Sequence, residues 1–279
     1  MGAIWLFIGL ANLISWLIWL PLVAASLGWV EAQPSPYLHL LGGVGPMVAA
    51  FIVMGAYGGR PGVRGLAKRA GLWRVPVRWH VVAWLGPVAL YVIGLFIVRA
   101  VWGEWPDVTR FGQTEEFPEL PILVYWAANI VFYGWGEETG WRGFLLPKIQ
   151  DRMGALKATL LITPVWIVWH APLFFFIDGY TGWGIGEMTG WAFSMLTGAL
   201  LMTWLFNSAA GSILVVAVFH GTIDIVMNTP SPGDMAFVLG MLITFWGLWV
   251  LVRKDWTNLS DMPRQRLDWH DPDDMWKPA

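Results

Sequence analysis

The residues best suited to chemistry lie in the stretch Gly134–Gly143, where two adjacent carboxylates and an arginine interrupt an apolar run. That run extends over about 121–146 and is long enough to cross a bilayer. A charged side chain at mid-membrane costs about 2.5 to 3.5 kcal/mol, so such residues usually serve a function. In a helix Glu138 and Arg142 can pair, being four residues apart, whereas Glu137 points elsewhere. Glu137 is therefore left free for chemistry.

Three more ionisable side chains lie within other apolar runs: His170, His220 and Asp224. His220 and Asp224 are four residues apart, as are Trp166 and His170, so each pair lies on one helix face. Each group alone has a structural explanation, such as an ion pair or a hydrogen-bonded core histidine. Their conjunction favours one polar cavity between three helices, because facing lipid would be costly for each of them.

The composition indicates an integral membrane protein. Of 279 residues, 57% are hydrophobic, only 13% are charged and 22 are Trp, with a mean hydropathy of +0.56. The formal net charge of -2 gives no sign of a nucleic-acid partner. Cysteine is absent, which excludes disulfides, thiolate metal sites and a cysteine nucleophile.

The apolar runs predict an all-α polytopic membrane protein with about eight transmembrane helices around an intramembrane polar cavity. The predicted helices lie approximately over Ala3–Leu27, Leu38–Tyr57, Val81–Val101, Pro121–Leu146, Ala158–Ile177, Trp191–Phe206, Ser212–Met227 and Met235–Val252. Together they form one domain, residues 1–252, which is followed by a tail, residues 253–279.

Charge in the loops predicts the topology. Residues 58–80 are basic and partly amphipathic, which is typical of an interfacial helix on the cytoplasmic leaflet or of a plain positive loop. The loop over 102–120 is acidic and is expected outside. Both termini are then cytoplasmic, in a multi-pass protein of the cell membrane. The tail has little periodicity and is predicted to be loosely ordered.

Two kinds of hydrolytic site and one non-enzymatic role fit these residue types. A buried carboxylate such as Glu137 can act as a general base on water while a histidine stabilises developing negative charge. Alternatively Glu137, His170, His220 and Asp224 could hold Zn²⁺, although no cofactor is favoured. A transporter or immunity-type protein could use the same groups to relay protons or to bind a partner.

Three motifs, in this order, carry a family resemblance: Glu137-Glu138-x-x-x-Arg142, Trp166-x-x-x-His170 and His220-x-x-x-Asp224. They resemble the motifs of the CPBP family of intramembrane proteases, which includes CAAX-processing (Rce1-like) and bacteriocin-processing or abortive-infection proteins. The similarity includes the residues on either side of the first motif, within Gly134–Pro147. It extends over about Gly42–Met227.

The resemblance implies an eight-helix membrane endopeptidase with its site inside the bilayer. Glu137 would activate water together with His170, while His220 and Asp224 would orient that water or stabilise the oxyanion. The substrate would be a membrane-associated peptide or protein. A prokaryotic source, which this branch of the family suggests, would make prenylated CAAX proteins unexpected natural substrates.

The resemblance also assigns supporting roles to Glu138, Arg142 and Trp166. Two positions depart from the family pattern. Trp166 stands where Phe is usual, which is a mild change. Asp224 stands where Asn is common, which removes an amide that could donate a hydrogen bond to an oxyanion.

Overall fold

The computed structural model describes residues 1–231, 235–268 and 276–278, most of which are helical. The α-helices are α1 Gly2–Ser26, α2 Tyr37–Gly42, α3 Gly45–Ala70, α4 Val77–Trp102, α5 Ile122–Ala128, α6 Gly136–Gly140, α7 Leu146–Gln150, α8 Ala155–Trp169, α9 Leu173–Phe176, α10 Ile185–Ser208, α11 Ile213–Met227 and α12 Met235–Arg253. Two short antiparallel strands, β1 Gln265–Leu267 and β2 Trp276–Pro278, pair near the C-terminus.

Each of the eight predicted apolar runs is helical in the structure. Six helical spans in the described part of the chain are long and apolar enough to cross a membrane: Gly2–Ser26, Tyr37–Ala70, Val77–Trp102, Ala155–Phe176, Ile185–Ser208 and Met235–Arg253. The remaining two are α11, which has only 15 residues, and the helical path over 122–150, which is divided into segments. The prediction of an all-α polytopic membrane protein is confirmed.

The helix that carries the Glu-Glu pair alternates between two helical geometries. Between α5 and α7 the chain forms π-helix over Asn129–Trp135, α-helix over α6, and π-helix again over Trp141–Leu145. π-Helical turns are rare and are found mostly at functional sites. Both glutamates lie on α6, so a π segment flanks them on each side. The helix runs to Gln150, four residues beyond its predicted end.

Close backbone packing places α3 and α11 against this helix. A Cβ atom on Gly140 would lie 2.5 Å from Cβ of Pro46 on α3. A Cβ atom on Gly134 would lie 2.2 Å from the carbonyl oxygen of Ala217 on α11. Only glycine fits at either position, because any side chain would separate the helices. The sequence thereby brings the α11 histidine next to the glutamates.

The fifth predicted run, 158–177, is broken at its histidine. Helix α8 begins earlier than predicted, at Ala155, and ends at Trp169, so His170 caps it. Pro172 follows, and the chain resumes as the short helix α9. The carbonyl of Trp169 accepts a hydrogen bond from the indole of Trp16 at 3.0 Å, which stabilises this helix end. His170 therefore lies on a helix end beside a loop.

The basic segment, 58–80, is partly helical and partly loop. Helix α3 bends at Gly59, whose φ of 56° and ψ of -155° lie outside helical geometry, and Pro61 follows two residues later. The chain is then helical to Ala70, and α4 begins at Val77. The predicted interfacial helix corresponds to the part of α3 beyond the bend.

The prediction of a loosely ordered tail is wrong for its described residues. Lys148 Nζ donates to the carbonyl of Leu267 at 3.0 Å, and the indole of Trp276 donates to the carbonyl of Gly143 at 3.3 Å. Gln150 Nε2 donates to the carbonyl of Gln265 at 2.8 Å. The tail thus covers the α7 end of the helical path over 122–150, which carries Glu137 and Glu138 and is called the Glu-Glu helix below. Residues 269–275 and 279 of the predicted tail lie outside the described part.

Candidate active site

Glu137 is held by a tryptophan from a neighbouring helix. Its Oε2 accepts a hydrogen bond from the indole N–H of Trp166 on α8 at 2.8 Å. Both side chains are buried. No second hydrogen bond to Glu137 is found within residues 1–231, 235–268 and 276–278. A carboxylate with one neutral donor keeps acceptor capacity for a water molecule.

Glu138 joins two of the predicted site residues. Its Oε1 accepts a hydrogen bond from Arg142 Nη1 at 2.8 Å and another from His220 Nδ1, also at 2.8 Å. The predicted ion pair with Arg142 is therefore present, and it extends across the helix interface to α11. Glu138 orients the histidine that the resemblance places next to the oxyanion.

His220 has a carboxylate near each ring nitrogen. Glu138 contacts Nδ1, and Oδ2 of Asp224 lies 3.5 Å from Nε2. The latter distance exceeds that of an ordinary N–H···O hydrogen bond, about 2.7 to 3.2 Å. A proton on Nε2 is thus near Asp224 but not committed to it, so it can be donated to a substrate oxygen.

His170 is oriented by the backbone of its own helix. Its Nδ1 donates to the carbonyl of Trp166 at 2.7 Å. This bond places the ring proton on Nδ1 and leaves Nε2 as an acceptor in the neutral ring. The ring also lies edge-on to Trp169 and Trp191, at centroid distances of 4.8 and 5.7 Å.

The residues proposed as alternative zinc ligands do not form a metal-binding group. In the described ranges no set of three or more His, Asp or Glu side chains is placed to hold a metal ion. Nδ1 of His170 and Nδ1 of His220 each donate to a protein oxygen. Zinc-binding histidines commonly donate their second ring nitrogen in the same way, so these contacts fit both the metal-free site and the zinc site.

The site has a closed side and an open side. On the closed side, Glu138 and Arg142 have side chains that are 0% and 2% exposed. On the open side, Asp224 is 28% exposed and His170 is partly buried. Residues 136–150 are buried without exception, whereas the residues after His170 are largely exposed. The cluster is therefore accessible from the side of His170 and Asp224.

The structure brings all seven predicted residues together, and Trp166 is the link that the sequence did not reveal. Its indole contacts Glu137, its carbonyl contacts His170, and its ring lies 4.8 Å from the Arg142 guanidinium carbon. The ring is also edge-on to His220 at a centroid distance of 5.8 Å. The four-residue spacing to His170 identified the position, but not the hydrogen bond to Glu137.

Comparison with known proteins covers this part of the chain. Residues 119–226 match the family described as type II CAAX prenyl endopeptidase, Rce1-like. The match includes all three motifs and is shorter than the resemblance predicted for 42–227. Helices α1 to α4 lie before the matched residues.

A curated protein also matches over a similar length. It is "CAAX prenyl protease 2" of Methanococcus maripaludis, which is 31% identical over 120 residues. The aligned region spans 41% of this chain and 42% of that protein, so it covers less than half of each. The resemblance predicted from the three motifs is confirmed: residues 119–226 of this chain are similar to the Rce1-like endopeptidases.

Proposed function

We propose that this protein is an intramembrane endopeptidase that hydrolyses a peptide bond of a membrane-associated substrate with water activated by Glu137. The observation that carries the proposal is the geometry at Glu137: a buried carboxylate with one neutral hydrogen-bond donor, in a cluster with two differently oriented histidines. The Rce1-like match supports the same class of reaction.

In the proposed reaction Glu137 takes a proton from water while the Nε2 lone pair of His170 accepts the other water hydrogen as a hydrogen bond. The water oxygen attacks the carbonyl carbon and forms a tetrahedral oxyanion. His220, as an imidazolium with a proton on each ring nitrogen, donates from Nε2 to that oxyanion, while its Nδ1–H is held by Glu138. The C–N bond then breaks, and the proton on Glu137 passes to the leaving amine.

The substrate class follows from the membrane location and from the relative. The protein is a multi-pass membrane protein whose site is enclosed by apolar helices, so the substrate is membrane-associated. The Methanococcus relative is named for CAAX prenyl substrates. That relative is itself prokaryotic, so the proposed natural class is membrane-associated peptides, and the paired farnesylated and unmodified probes below test for a preference.

The proposed topology has both termini in the cytoplasm, as the basic residues over 58–80 and the acidic loop over 102–120 indicate. Reporter fusions after Gly59, Gly112 and Lys254 should give inside, outside and inside signals. An inside signal after Gly112 would contradict the orientation.

The test of the activity compares membranes of cells that produce the parent protein or the Glu137→Gln variant at equal levels. New peptide N-termini should appear only with the parent. Purified protein is then given two quenched-fluorescent peptides of identical sequence ending in a CAAX motif, one farnesylated and one not. If neither membrane peptides nor either probe shows cleavage that requires Glu137, the proposal is wrong.

A further inference from the structure

Trp166 contacts both groups assigned to water activation. Its indole N–H reaches Glu137 at 2.8 Å, and its carbonyl oxygen receives Nδ1–H of His170 at 2.7 Å. The two contacts come from different parts of the residue, the side chain and the backbone. Any shift of Trp166 would therefore move both groups together.

The ring of Trp166 has two further neighbours. The guanidinium carbon of Arg142 lies 4.8 Å from the ring centroid, and the ring of His220 lies edge-on at 5.8 Å. Only 3% of Trp166 is exposed. A buried indole N–H needs an acceptor, and Glu137 is the acceptor here.

We propose that Trp166 is a positioning residue that holds the Glu137 carboxylate in the orientation required for proton transfer. The hydrogen bond fixes Oε2, so that Oε1 is the oxygen left to face water. Phenylalanine, the residue usual in the family at this position, has no N–H and cannot make this contact. This inference depends on the proposed peptidase activity and adds to it a function for the indole nitrogen.

Trp19 on α1 provides a control of the same chemistry. Its indole N–H also makes one buried hydrogen bond, to the carbonyl of His39 at 3.0 Å, and it is 0% exposed. Trp19→Phe therefore removes the same chemical group at similar burial, but leaves the contacts of Glu137 and His170 intact. Loss of folding stability should be similar in Trp166→Phe and Trp19→Phe.

The experiment measures kcat, KM and the thermal midpoint for both variants in the Glu137-dependent cleavage assay. Misplacing a reacting group by about 1 Å can lower the rate by about 100-fold. We expect Trp166→Phe to lower kcat by about 10- to 100-fold with KM nearly unchanged, and Trp19→Phe to leave kcat near the parent value. Replacing Trp166 by benzothienylalanine, in which sulfur takes the place of the N–H, should reproduce the kcat loss without altering the shape of the ring system.

Equal kcat losses in the two Phe variants, or full activity of the benzothienylalanine protein, would overturn the positioning role. These outcomes differ from failure of the peptidase proposal, in which Glu137→Gln would cleave as well as the parent. If Trp166→Phe does not fold, the benzothienylalanine protein alone decides the question.

A second inference concerns a separate surface and does not depend on the peptidase activity. A groove at the bend of α3 is lined by Gly55, Gly59, Arg60, Val63, Arg64 and Ala67. Its two walls are the last turn of α3 before the bend and the first turns after it. The bend lies where the apolar part of the span ends and the basic segment begins.

The arginines of this segment fall into two groups. Arg69 is committed to structure, since it donates to the carbonyls of Ala210 and Gly211 and to Oε1 of Gln265. Arg60 and Arg64 are exposed and four residues apart, so they face the same direction. Within the described part of the chain neither of them has a hydrogen bond or an ion pair.

We infer that this groove binds the phosphate headgroup of an anionic phospholipid. Two guanidinium groups suit a phosphate, because each can donate a pair of parallel hydrogen bonds. The small apolar residues between them, such as Gly55 and Val63, leave room for the glycerol and the start of the acyl chains. A free phosphate ion shares the charge but gains nothing from the apolar wall.

Native mass spectrometry of the purified chain tests this site with phosphatidylglycerol, with phosphatidylcholine of the same acyl chains, and with inorganic phosphate. A direct hydrogen bond to a charged group contributes a factor of about ten. The Arg60→Gln, Arg64→Gln double variant should therefore lose at least about tenfold in preference for phosphatidylglycerol over phosphatidylcholine.

The matched control is the double variant Arg74→Gln, Arg78→Gln. Both of these arginines are exposed on the same basic segment, and each lies over an adjacent tryptophan ring. It should keep the parent's preference. Equal losses in the two double variants would indicate unlocalised charge attraction, and displacement of the lipid by inorganic phosphate at equal concentration would indicate a free-anion site. Either result would overturn the inference.

Discussion

The closed and open sides of the site use carboxylates in different ways. On the closed side, Glu138 is fully buried and accepts hydrogen bonds from both Arg142 and His220. On the open side, Asp224 approaches His220 only to 3.5 Å and keeps 28% of its side chain exposed. The first arrangement fixes geometry, and the second leaves a polar group available to substrate. Both carboxylates act on the same ring, one at each nitrogen.

The comparison teaches that the two carboxylates next to His220 differ in burial, and therefore in what their removal costs. A buried pair loses its hydration, so removing one partner destabilises the protein strongly. A partly exposed group can exchange its partner for water at little cost. Variants of the closed side should therefore change stability and activity together, whereas variants of the open side should change activity alone. Glu137 lies between the two sides and tests this division first.

The largest effect is expected for Glu137→Gln. Removing a general base typically lowers the rate by about 10²- to 10⁴-fold. Stability should stay close to that of the parent, because the amide oxygen can still accept the Trp166 hydrogen bond. Cleavage rate and thermal midpoint of the purified variant check both expectations.

Glu115→Gln is the control for Glu137→Gln. It makes the same chemical change in the acidic loop over 102–120, at a side chain that is 75% exposed. It should cleave at the parent rate. A Glu137→Gln protein that is folded and equally active would remove Glu137 from the reaction.

The second largest effect is expected for Arg142→Gln. Glu138 would then be buried without its cationic partner, at a cost of about 3 to 5 kcal/mol in the free energy of unfolding. Denaturant unfolding in detergent, followed by tryptophan fluorescence, measures this loss. Arg110→Gln breaks a pair whose side chains are 45% and 75% exposed, so it should cost less than about 1 kcal/mol. Similar losses in the two variants would show that burial does not raise the cost of breaking the Glu138–Arg142 pair.

Some of this division follows from the sequence. Four-residue spacing within a helix predicted the Glu138–Arg142 pair and the approach of His220 to Asp224, and both are present. The lengths of the apolar runs located the eight predicted helical regions, because crossing a bilayer requires a long apolar helix. These predictions rest on local geometry, which one helix is sufficient to determine.

The individual hydrogen bonds between helices could not be predicted from the sequence. The Glu138–His220 hydrogen bond joins residues 82 positions apart, and the Trp166–Glu137 bond joins residues 29 positions apart. Their formation depends on how closely α11 and α8 approach the Glu-Glu helix, and on glycines whose close contacts a single sequence does not reveal. The docking of the tail was missed for a related reason. Its hydrogen bonds largely involve main-chain carbonyls, either of the tail or of the helix it covers, such as that of Gly143. A main-chain carbonyl is present at every residue, so the sequence does not mark these contacts.

A smaller effect is expected for Trp276→Phe, which tests whether the tail contributes to the closed side. The change removes the hydrogen bond to the Gly143 carbonyl but retains an aromatic ring next to Gly65. We expect a loss of about 1 kcal/mol in the free energy of unfolding. Trp256→Phe is the control, since its indole also donates to a carbonyl, that of Leu251, but is 63% exposed. If Trp256→Phe destabilises the protein as much, the tail does not help to close this side.

The smallest effect is expected for Asp224→Asn on the open side. Without a metal, an ionised Asp224 next to a developing oxyanion would repel it, so its useful role is to face His220 and help to orient the ring. Asparagine is similar in shape and can accept a hydrogen bond from Nε2 through its amide oxygen. Activity should therefore stay within about threefold of the parent, as for a partly exposed contact that contributes less than about 1 kcal/mol.

Asp224→Asn also separates the two hydrolytic mechanisms. If Asp224 were an anionic zinc ligand, the neutral amide would be a weaker ligand, and metal and activity would be lost together. Metal content of the purified parent and of the variant is measured alongside cleavage. Asp224→Leu is the control, because it removes the polar contact between residue 224 and His220. We expect Asp224→Leu to be clearly less active than Asp224→Asn, because only the latter keeps a partner for Nε2. An inactive Asp224→Asn protein, made from a parent that contains stoichiometric zinc, would instead assign the open side to a metal and would show the metal-free mechanism to be wrong.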